Sequence, residues 1–282
     1  MRKSTMLIRQ ARLTALAVVA GLFMRGGSGF AQAPSPDFAH FTYDRSAPLN
    51  VKQVSVRVQD GVTIEDITYT GANGDTVPAY LVIPKGAGKF AGILWGHWLM
   101  DGAANSNRTE FLDEAIALAP SGIVSLLIDD AHVRPNFKPV PGMGPGLMAQ
   151  QVTDLRRGFD LLLSRPDIDA TRLAYVGHSY DSVAGAILDA TDKRISAFVF
   201  MGGPQFAFSY TEPYAGKLGP APALFQYGLH DDEFVPLAAA KDYVAKASGP
   251  KTVKFYDAGH ALNAKARTDR DRFLRKTLKL KP

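Results

Sequence analysis

Tyr175-Val-Gly-His-Ser-Tyr-Asp-Ser182 decides how this 282-residue chain is read. The apolar run Leu173-Ala-Tyr-Val176 predicts a buried strand, Gly177 ends it, and a helical pattern runs from Ser182 to Ala190. A serine on so abrupt a strand-to-helix turn stands exposed above the sheet edge. The backbone N–H of Tyr180 then points toward an anion at the helix N-terminus. A serine hydroxyl is a poor nucleophile until a base takes its proton during attack, so a base and an acid to orient it are sought elsewhere in the chain.

Working outward, short apolar runs alternate with amphipathic segments. Strands are predicted over Ala91–Trp95, Ile123–Ile128, Ile195–Phe200, Ala223–Tyr227 and Thr252–Tyr256. Helical spacing covers Arg108–Ala119, a segment through Val152, Leu155, Phe159 and Leu162, then Leu237–Ala247 and Asp269–Leu278. This rhythm predicts an α/β fold with a mostly parallel, doubly wound sheet covered on both faces. Before it, Val54–Val58, Val62–Tyr69 and Val77–Ile83, the last two joined at the Asn73-Gly74 turn, read as an antiparallel N-terminal edge. The aromatic-rich connection Gly202–Ala221 is expected to form a small cap, with Phe206 and Tyr210 as candidate pocket residues.

The base candidate is His260, in Tyr256-Asp-Ala-Gly-His-Ala-Leu262. It follows the last predicted strand and so falls on the same C-terminal sheet edge as Ser179, where open α/β sheets place their sites. An orienting carboxylate is expected after the preceding strand, where Tyr227-Gly-Leu-His-Asp-Asp-Glu-Phe-Val-Pro236 offers both Asp231 and Asp232.

Residues from about 54 to 280 resemble the α/β-hydrolases, and within them the dienelactone-hydrolase-like and acyl-peptidase-like serine esterases. The resemblance rests on Gly177-His-Ser-Tyr180, Asp232-Glu-Phe-Val-Pro236, and Ala258-Gly-His-Ala-Leu262 followed by Asp269-Arg270. It implies the α/β-hydrolase fold, cleavage of a small-molecule carboxylic ester through an acyl-enzyme, and no cofactor. A small peptidase of prolyl-oligopeptidase type is the enzymatic alternative. In the family the acid usually stands four residues before the proline, which selects Asp232. Counting three residues on from Gly228 selects Asp231 instead. The resemblance also puts a turn after the strand ending at Trp95, here Gly96-His97-Trp98, and so implies Trp98 N–H as a second oxyanion donor beside that of Tyr180. Two departures stand out. Asp181 replaces the last glycine of the serine-elbow motif, which motivates a noncatalytic binding protein as a different reading. Dienelactone hydrolases themselves use a cysteine nucleophile, and this chain has no cysteine.

Composition narrows the setting. The formal charge of +5 comes from Arg2, Lys3, Arg9, Arg12 and Arg25; residues 32–282 balance at zero, which argues against nucleic acid as a partner. Residues 1–31 read as a signal peptide: a basic start, an apolar run at 13–24 too short to span a bilayer, and small residues favouring cleavage before Gln32. A periplasmic or secreted protein with no lasting membrane anchor is expected, with a lead-in segment at 32–50 and one domain at 51–282. His178 beside the serine reads as a packing and hydrogen-bonding residue. Asp129 and Asp130 read as loop caps. His97, His132 and His230 show no metal-binding spacing, so no metal site is expected. The oligomeric state is not encoded in any of these signals.

Overall fold

The computed structural model describes residues 36–100, 102–134, 143–205 and 211–280. In chain order the elements are β1 (Lys52–Gln59), β2 (Val62–Thr70), β3 (Thr76–Ile83), β4 (Phe90–Gly96), α1 (Leu112–Leu118), β5 (Ile123–Ile128), α2 (Met143–Ser164) and β6 (Ile168–His178). They continue with α3 (Tyr180–Thr191), β7 (Ala197–Met201), α4 (Glu212–Ala215), β8 (Ala223–Gly228), α5 (Leu237–Lys246), β9 (Lys251–Tyr256) and α6 (Ala264–Thr277).

All nine strands form one sheet in the order β1-β2-β3-β5-β4-β6-β7-β8-β9. The first three strands are antiparallel to their neighbours; from β5 to β9 every pairing is parallel. Strand β4 is the pivot. Leu94 pairs with Leu126 of β5 on one side and with Tyr175 of β6 on the other. The chain therefore leaves β4 in one direction and returns on its opposite flank, and the carboxyl ends Gly96 and Gly177 sit side by side at the switch point, where such sheets open a crevice.

Both faces are covered, as the continuous apolar strands require. On one face Leu155 and Phe159 of α2, Ile187 and Leu188 of α3 and Tyr243 of α5 pack with Phe198, Phe200 and Phe225. On the other, α1 and Leu274 of α6 pack with Trp95, Leu127, Val176 and Val199. Strand β1 is exposed throughout, so the Val54–Val58 alternation marks an uncovered edge rather than a buried face.

Three differences from the sequence reading have identifiable physical causes. Helix α1 starts at Leu112, not Arg108, because the guanidinium of Arg108 forks onto Asp66 at 2.9 and 3.2 Å while its N–H donates to Asp129 Oδ1, holding 108–111 in a turn. Helix α6 starts at Ala264, before Asp269, because the Asn263 side chain caps it by accepting from Ala266 N–H. The described part of the lead-in is fastened to α2. Tyr43 O–H donates to Asp160 at 2.7 Å, and the buried Arg157 donates to the carbonyls of Arg45 and Ala47. The signal-peptide reading of 1–31 lies outside the described residues. No helix among the described residues is long and apolar enough to cross a membrane.

Candidate active site

Ser179 sits between β6 and α3 with φ 54° and ψ −111°, a conformation L-residues rarely adopt. Such backbone strain costs on the order of 1–3 kcal/mol and persists only where surroundings enforce it. Here Ser179 N–H donates to Met201 O at 2.7 Å, and Ser179 O accepts from the N–H groups of Ser182 and Val183. Gly177 lets the turn close: a Cβ there would stand 2.4 Å from Asp181 O.

The structure brings His260 to the serine. Its Nε2 lies 2.7 Å from Ser179 Oγ and its Nδ1 lies 2.6 Å from Asp231 Oδ2. Both partners of the second contact are buried, with side-chain exposures of 7% and 2%. With Nδ1–H donated to the carboxylate, the Nε2 lone pair faces the hydroxyl, the arrangement that lets an imidazole accept a serine proton.

The acid at His260 is Asp231, not the Asp232 selected by counting back from Pro236. Asp232 is exposed. Leu229 N–H donates to Tyr256 O and His230 N–H to Ala258 O, which keeps the chain in step with β9 and delivers the third residue after Gly228 to His260. The turn closed by Val235 N–H on Asp231 O then absorbs one extra residue before the proline.

The Trp98 N–H also departs from expectation. It donates to Glu110 Oε2 at 2.7 Å, while Glu110 Oε1 meets His178 Nδ1 at 2.5 Å and His178 Nε2 meets His260 O at 3.0 Å. Glu110 thus ties the loop after β4 to the elbow. Reading 108–119 as helix conceals this, because only the turn at 108–111 swings Glu110 back. Tyr180 opens α3, as expected for the other N–H.

Asp181 is fully buried, and its room comes from Gly96: a Cβ at Gly96 would lie 1.9 Å from Asp181 Oδ2. Although Asp181 stands in the first turn of α3, its surroundings do not favour an anion. Gln151 Nε2 bridges Asp130 Oδ1 at 2.6 Å and Asp181 Oδ1 at 2.8 Å. Burial and the neighbouring Asp130 carboxylate push the Asp181 carboxyl well above the usual range, toward its neutral form. Phe206 and Tyr210 lie outside the described residues. Tyr214, from the same aromatic segment, packs edge-on against Phe38 and Phe41 of the lead-in.

The parallel sheet, its switch point and the serine elbow define the α/β-hydrolase fold, and solved structures agree. An acetyl xylan esterase from Paenibacillus sp. R4 superposes with a TM-score of 0.67 at 21% identity, over 82% of this chain and 90% of that one. Acetyl xylan esterase 1 from Thermoanaerobacterium sp. JW/SL YS485 gives 0.68 at 16%, over 87% and 95%. A prolyl endopeptidase gives 0.60 at 16%, over 78% of this chain and 39% of that one. No protein-family model matches the chain, and no curated protein matches it.

Proposed function

We propose that this chain is a serine hydrolase that cleaves a carboxylic ester through an acyl-enzyme. The observation that carries this reading is the unbroken row from Asp231 Oδ2 through the His260 ring to Ser179 Oγ, with contacts of 2.6 and 2.7 Å. Ser179 Oγ attacks the ester carbonyl while His260 Nε2 takes its proton, and Asp231 stabilises the imidazolium that forms. His260 then returns the proton to the departing alcohol, and water releases the acyl group by the same route. Tyr180 N–H holds the tetrahedral oxyanion, joined by Trp98 N–H once the Glu110 carboxylate moves off it. Esters are favoured over amides because acetyl xylan esterases stand among the structural neighbours. Residues 1–31 supply the export signal that delivers the enzyme to the periplasm or medium.

A second reading, a noncatalytic binding protein, draws on the carboxylate of Glu110 sitting on the Trp98 N–H. Turnover of p-nitrophenyl acetate and butyrate, set beside chromogenic proline peptides, tests the proposal. Ester turnover that falls at least roughly 1,000-fold in Ser179→Ala is expected. Faster peptide cleavage would replace the ester assignment, and full activity in Ser179→Ala would remove the nucleophile.

A further inference from the structure

We propose that His97, Asp130 and His132 form a binding site for a divalent transition-metal cation of the zinc class, beside the serine elbow. The three residues come from the loop after β4 and the turn after β5, 33 and 2 residues apart, so no sequence spacing announces them. Each offers one ligand atom, and these atoms all lie within 4.8 Å of one another. His97 Nε2 is 3.5 Å from Asp130 Oδ1, and His132 Nδ1 is 3.9 Å from Asp130 Oδ2. Tetrahedral coordination with bonds of roughly 2.0–2.1 Å separates ligand atoms by roughly 3.4 Å, so side-chain adjustments of up to roughly 1.4 Å would close the set.

The hydrogen-bond pattern suits ligation. His97 Nδ1 faces Trp98 O at 2.7 Å and must donate to it, which fixes the ring with its lone pair on Nε2. Zinc-bound histidines are oriented by this kind of second hydrogen bond. That lone pair accepts a 3.1 Å bond from Asp130 N–H, which a cation would displace. His132 carries the strongest sign of a missing partner. Its side chain is 8% exposed, yet neither ring nitrogen has a hydrogen-bond partner among the described residues. A buried polar group left unsatisfied costs roughly 1–3 kcal/mol, so native sites seldom leave one without a ligand or water.

The site would act on the elbow without touching the reacting atoms. Trp98 follows His97, the His132 ring meets the Tyr180 ring edge-on at 5.5 Å, and Gln151 joins Asp130 to Asp181. A cation there would brace the loop after β4, which flanks Ser179 on one side, against the turn after β5.

The test is a titration of the chelator-treated full chain with zinc chloride alone and, separately, cobalt chloride. One equivalent bound at micromolar metal is expected, with a raised melting temperature and visible cobalt bands of tetrahedral intensity. His132→Gln should weaken binding by roughly 100-fold or more. His230→Gln, at the exposed pair with Asp257, should leave it unchanged. Asp130→Asn is the second variant; if it fails to fold, His132→Gln in the turn Ala131–Val133 still decides. No stoichiometric binding would mean that a buried water satisfies His132 and would overturn the proposal. Undiminished binding in a folded His132→Gln protein would place any metal elsewhere and overturn it equally.

Discussion

Replacing Asp231 by asparagine separates the two candidate acids. Asp231 Oδ2 accepts from His260 Nδ1 at 2.6 Å, and the pair is almost wholly shielded from water. Asparagine has the same shape but carries no charge. If its NH₂ faces Nδ1, the ring must accept there and carry its proton on Nε2, against Ser179 Oγ. That is the wrong tautomer for a base, and even the correct flip leaves the imidazolium unstabilised. In comparable triads this change lowers kcat by roughly 10⁴. At 1.36 kcal/mol per decade, that corresponds to about 5 kcal/mol of barrier. Asp232 is exposed, so Asp232→Asn should change kcat by less than about threefold. Steady-state hydrolysis of p-nitrophenyl acetate, with circular dichroism to verify folding, provides the assay. Equal losses in the two variants, or a larger loss in Asp232→Asn, would refute the reasoning from geometry.

Further predictions concern the surroundings. Gly96→Ala drives a methyl into Asp181 and should destabilise the fold by about 1–3 kcal/mol in urea denaturation; adding Asp181→Gly should recover about half of the loss, and strict additivity would deny the contact. Asp189 is buried, and burial raises its carboxyl from 3.8 to about 6, so between those values the folded state holds more protons than the unfolded one. Stability should therefore fall as pH rises from about 4 to about 6, by up to about 3 kcal/mol. Asp189→Asn, still able to accept Gly219 N–H, should abolish that decline and be the more stable protein above pH 6; an unchanged pH profile would contradict the assignment. Glu110→Ala should free the Trp98 N–H and raise ester turnover by up to roughly 100-fold, whereas a loss in a folded variant would remove Trp98 as a donor.

The sheet and the elbow were legible because their determinants are local. Apolar runs marked the parallel strands, and Gly177-His-Ser179 marked the turn. His260 was placed by its position after the last strand. The acid was harder to read. Asp231 and Asp232 are adjacent and chemically alike, and only the hydrogen bonds of Leu229 and His230 to the β9 end choose between them. Glu110 was hidden because its neighbourhood has helical spacing, while long-range contacts of Arg108 to Asp66 and Asp129 unwind the first turn. The accommodation of Asp181 was equally illegible. It depends on Gly96, a residue 85 positions away that pairs with Gly177 across two strands. His97, Asp130 and His132 converge for the same kind of reason: the sheet edge gathers them, not the sequence.

Reaction of the folded chain with a fluorophosphonate, followed by peptide mass mapping, tests most directly whether the row from carboxylate to hydroxyl makes one serine reactive. A single phosphonyl adduct on Ser179, absent from Ser179→Ala and strongly slowed in His260→Ala, is the expected result. A folded, monodisperse protein that takes no label, or that carries it on another residue, would contradict the account.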